Sequence, residues 1–72
     1  MGERESNIYR LEYNIRKEIE RINYFELRRM KHKLSGVKDH QEKYLLSEIQ
    51  HHKDLRDKFL KDLHFWVNKN ES

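Results

Sequence analysis

The chain has no cysteine and no proline, only two glycines, and no alanine or threonine. Without cysteine there can be no disulfide and no thiolate zinc site. A single core in a chain of 72 residues supplies only about 3 to 5 kcal/mol of net stability, so further buried area is expected to come from oligomerisation. Without proline, nothing interrupts a long helix. Without alanine, two packed helices are expected toward the wide end of the usual interaxial range of about 8 to 10 Å, with branched and aromatic side chains between them. Apolar residues never run beyond three in succession, which excludes a membrane span or a signal-peptide core; a cytoplasmic protein with no membrane partner is expected. There is no thiol nucleophile, and the serines stand at caps, ends or a polar face, so catalysis and a cofactor are not expected.

Charge is abundant. Charged residues make up 40% of the chain against 35% hydrophobic, with a net charge of +3 when histidine is neutral. Such a balance suits disorder, but the apolar residues are regularly spaced, and spacing outweighs composition. Ile8, Leu11, Ile15, Ile19, Ile22, Met30 and Leu34 recur at helical steps, with Glu26 as the gap. They predict helix one over about 7–34, with Ser6 or Asn7 as its N-cap after a frayed start at Met1 to Glu5. Leu45, Ile49, Leu55, Phe59, Leu63 and Trp66, widened by Leu46, Leu60 and Val67, predict helix two over about 40–68 before a loose tail.

Between the helices, Gly36 can take the left-handed conformation that ends a helix, and Lys31 and Lys33 complement the negative end of its dipole. Asp39 followed by Glu42 has the form of a capping box. These signals favour a turn over 35–39, rather than one long helix that tolerates Gly36 at a cost of about 1 kcal/mol. In a hairpin folded there, residues whose numbers sum to about 73 or 74 share a level. The expected fold is all-α: a single domain over residues 1–72, built as an antiparallel two-helix hairpin. Its stripes are too wide to cover each other, so a homodimer forming a four-helix bundle is expected.

Three constellations could carry function. Glu26, Glu48 and His52 fall on or near the core stripes at one level, and Glu48 with His51 has the Glu-x-x-His spacing of bundle metal sites. A short motif in a helix rich in charge and histidine is weak evidence, and a buried polar layer that sets register is preferred to a metal site. Arg10, Asn14, Lys17, Arg21, Tyr24, Arg28 and Lys31 form a basic row with an aromatic in it. Such a row can follow an RNA or DNA backbone, or simply be a solvated face. Phe59, Leu60, Leu63, Phe65, Trp66 and Val67, with Tyr9 and Tyr13 at the same level, supply interface anchors beyond what one facing helix covers.

In size and shape the chain is similar to the short helical hairpins that act as aspartyl-phosphate phosphatases in sporulating bacteria. Those carry Ser-x-x-x-Asp on the second helix, whereas Ser47 here is followed four residues on by His51, so that activity is not carried over. The expected function is that of a non-enzymatic, homodimeric regulator or adaptor that binds another protein. RNA or DNA binding is the alternative, and a metal-binding bundle the third reading.

Overall fold

The computed structural model of the protein describes residues 2–36 and 41–69. Two helices, α1 (Glu3–Ser35) and α2 (Gln41–Asn68), pack against each other as an antiparallel hairpin measuring 58 × 16 × 12 Å. There is no strand among the described residues. No described helix is long and apolar enough to cross a membrane.

α1 starts at Glu3, ahead of the expected Asn7, so Ser6 and Asn7 lie inside the helix rather than capping it. Residues 2–5, within the start expected to fray, carry local bonds. Gly2 is the extended N-cap, and its N–H donates to Glu5 Oε2 at 2.7 Å while its carbonyl accepts from the Ser6 N–H at 3.2 Å. Glu3 and Glu5 meet the positive end of the helix dipole. Arg4 reaches across the open end of the hairpin, where Nε donates to the Trp66 carbonyl at 3.1 Å and Nη2 to that of Val67 at 2.9 Å. α2 has no basic residue in its own last turn, so Arg4 of α1 satisfies carbonyls that α2 leaves open.

At the other end, Gly36 is left-handed (φ 70°, ψ 6°) and its N–H donates to the Lys33 carbonyl at 3.3 Å, as its place in the sequence predicts. Residues 37–40, which hold the rest of the expected turn and the Asp39 of the expected capping box, lie outside the described residues.

The seam is centred on Ile15 and Ile22 of α1 and Leu45 and Ile49 of α2, all buried. Leu11, Phe25, Phe59, Leu63 and Trp66 extend it half-buried. Three members of the expected α1 stripe are not in it: Ile19, Met30 and Leu34 are 42%, 57% and 83% exposed. The reason is rotational. A step of four residues turns about 40° past a full circle and a step of three falls about 60° short, so only alternating steps stay on one line. Ile8, Leu11, Ile15, Glu18, Ile22, Phe25 and Arg29 alternate in this way and are half-buried or buried. The successive fours from Ile22 through Glu26 and Met30 to Leu34 drift out to one flank.

Candidate functional site

One buried charged group organises the middle of the seam. Glu18, placed between Ile15 and Ile22, is only 4% exposed. Its Oε2 accepts from His52 Nδ1 at 2.5 Å and its Oε1 from Arg21 Nη1 at 2.8 Å. The second ring nitrogen of His52, Nε2, lies 3.5 Å from Glu48 Oε2. The ring itself stacks on Phe25, with centroids 5.7 Å apart and planes inclined by 14°. Each partner is set by local geometry. Glu18 and Arg21 are one turn apart on α1, Glu48 and His52 one turn apart on α2, and the hairpin brings the two pairs together. Both carboxylate oxygens of Glu18 have donors, which is what allows a charge to be held at this depth.

The polar layer expected from Glu26, Glu48 and His52 is therefore present with a different carboxylate. His52 stands near the level of Ile22, as the pairing map predicts, but its partner is Glu18, one turn earlier. Glu26 is exposed and forms an ion pair with Lys53 at 3.6 Å on the flank of the seam. His51 is exposed and meets the His52 ring edge to face at 5.1 Å. The four metal candidates are thus not gathered around one point. Among the described residues, no group of three or more His, Cys, Asp or Glu is placed to hold a metal ion. The sequence signal for Glu18 is its place in the alternating spacing; following the apolar residues to Ile19 passes over it.

The two flanks of the seam differ. On the flank bridged by Glu26 and Lys53, the helical repeat places Ile19 and Met30 of α1 beside Leu46, Leu60 and Val67 of α2, and all five are substantially exposed. A groove lined by Glu26, Arg29, Met30 and Lys33 opens there. On the opposite flank lies the basic row: Arg10, Arg21, Tyr24, Arg28 and Lys31 are exposed, and Asn14 and Lys17 half-exposed. Lys17 pairs with Glu20 at 3.5 Å and lies 5.5 Å from the Tyr13 ring centroid. Of the aromatic cluster, Phe59, Leu63 and Trp66 enter the seam, while Leu60, Phe65 and Val67 remain exposed. Tyr9 and Tyr13 do not face that cluster; they are 74% and 53% exposed on the outer side of α1. Lys69 covers the outer ring surfaces, with Nζ 4.6 Å from the Trp66 centroid and 5.9 Å from that of Phe65.

The fold and this layer define a class: an antiparallel helical hairpin with a heptad-spaced seam and a central buried carboxylate–imidazole pair. No protein-family model, curated protein or solved structure matches the chain.

Proposed function

We propose that the chain is a non-enzymatic helical hairpin that pairs with a second copy as a four-helix bundle and acts by binding another protein, as a regulator or adaptor. The observation that carries this reading is surplus surface. The hairpin exposes 6032 Å², about 1,100 Å² more than the roughly 4,900 Å² expected of a compact monomer of its 9.1 kDa mass. Burying that surplus in each of two copies would remove about 2,200 Å², which falls in the range of obligate dimers. The flank carrying Ile19, Met30, Leu46, Leu60 and Val67 supplies the apolar side chains for it. Phe65 and the Trp66 end stand beyond that flank as anchors for a protein partner.

The mass in solution tests the pairing. A dimer is expected at micromolar concentration, shifting to monomer in Leu46→Asp with Leu60→Asp and staying dimeric in Tyr9→Asp on the outer side of α1. A wild-type chain that is monomeric throughout would overturn it. Affinity capture from the native host tests the partner: a protein retained by the wild type and lost in Phe65→Ser supports the reading, and no retained protein counts against it.

A further inference from the structure

One exposed patch is unexplained by packing or by pairing. Tyr24 and Phe25 of α1 meet edge to face at 5.3 Å, and Phe25 meets Tyr44 of α2 at 6.5 Å in the same way, so three rings bridge the two helices. Phe25 is anchored on His52 from below. The two tyrosines are not buried: they are 59% and 55% exposed. A turn to either side of Tyr24 stand Arg21 and Arg28, followed by Lys31. Glu18 takes one side of Arg21, whose side chain stays 56% exposed. Among the described residues, no carboxylate pairs with Arg28 or Lys31.

We propose that this face binds single-stranded nucleic acid, with bases stacked on Tyr24 and Tyr44 and phosphates held by Arg21, Arg28 and Lys31. Solvent-facing rings flanked by cations are the two elements such binding requires: π-faces for the bases and a basic track for the backbone. A duplex would answer to the cations but keep its bases from the rings. An acidic polypeptide likewise matches the charge and leaves the tyrosines without a role. The patch lies on the flank opposite Ile19, Met30, Leu46 and Leu60, so a second copy docked there leaves it open, and the proposal does not depend on pairing.

Fluorescence anisotropy with a labelled single-stranded RNA, the same DNA sequence and its duplex tests this on the full chain, with helicity and solution mass recorded for every variant. Binding to one or both single strands, stronger than to the duplex, is expected. Neutralising three phosphates implies an affinity that falls about 20-fold between about 50 and 200 mM salt. Tyr24→Ala and Tyr44→Ala should each weaken binding about tenfold while the helicity is kept. Arg28→Glu with Lys31→Glu should abolish it, and Arg16→Glu with Lys61→Glu, off this face, should leave most of it. No binding at low salt, equal loss in the two charge-reversed pairs, or an affinity unmoved by both tyrosine variants would overturn the proposal. A monomer that binds the strand would support it and remove the pairing reading alone.

Discussion

Glu18 and His52 show how a single buried charge is held in a core this thin. Two of the four buried apolar side chains, Ile15 and Ile22, lie on either side of Glu18, so if it loses a donor, water cannot readily replace it. Breaking a buried pair by removing one partner costs about 3 to 5 kcal/mol. Arg21 remains on Oε1 of Glu18, so His52→Leu is expected near the lower end, about 3 kcal/mol, which is most of what a hairpin of this size has. Replacing both, Glu18→Leu with His52→Leu, removes the desolvation penalty together with the pair and should restore the wild-type midpoint or exceed it. Urea titrations of the wild type, single and double variants check this; a double variant as unstable as the single would show that the pairing is not what matters. His52 and Glu48 were legible as central from the spacing of α2. Glu18 was not, because apolar Ile19 beside it draws the stripe one residue too far.

At the scale of the elements, each helix is ended by a different kind of signal. Gly36 stops α1 through its own backbone: φ is 70°, and a Cβ added there would meet nothing within 4 Å. The cost of a side chain is therefore conformational alone. Gly36→Ala should lower stability by about 1 kcal/mol and Gly36→Asn by less, read as shifts in thermal midpoint; an unchanged Gly36→Ala would mean that the left-handed stop is not needed. This signal is local and legible in the sequence. The end of α2 is not: the Trp66 and Val67 carbonyls are satisfied by Arg4, which is 62 residues from Trp66 in the chain and lies in the start that the sequence predicts to be frayed. Only the return of α2 along α1 brings them together.

At the scale of the whole molecule, the hairpin is a rod with two unlike flanks. The flank with Ile19, Met30, Leu46, Leu60 and Val67 is greasy, and the other is basic and aromatic. If the greasy flank is covered by a second copy, folding and association are linked, and the thermal midpoint should rise with protein concentration. Melts over a hundredfold range of concentration check this, and a constant midpoint would point to a hairpin that folds alone. The division into flanks also explains why the expected stripe of α1 was too broad. It combined residues of the seam with residues of the greasy flank, which helical spacing alone does not separate.

The sequence by itself determined two long helices, the stop at Gly36, the hairpin and the depth at which His52 sits. These depend on interactions within a turn or two of chain and on the length of the segments, all of which are written in the spacing of residues. The tertiary structure decided which carboxylate meets His52, which apolar residues face out and which rings bridge the helices. Those depend on the rotation of α1 about its own axis. Glu18 and Glu26 are two turns apart and differ by about 80° around the helix, so which of them faces α2 depends on how α1 is turned, and it is the packing of the whole seam that fixes the angle.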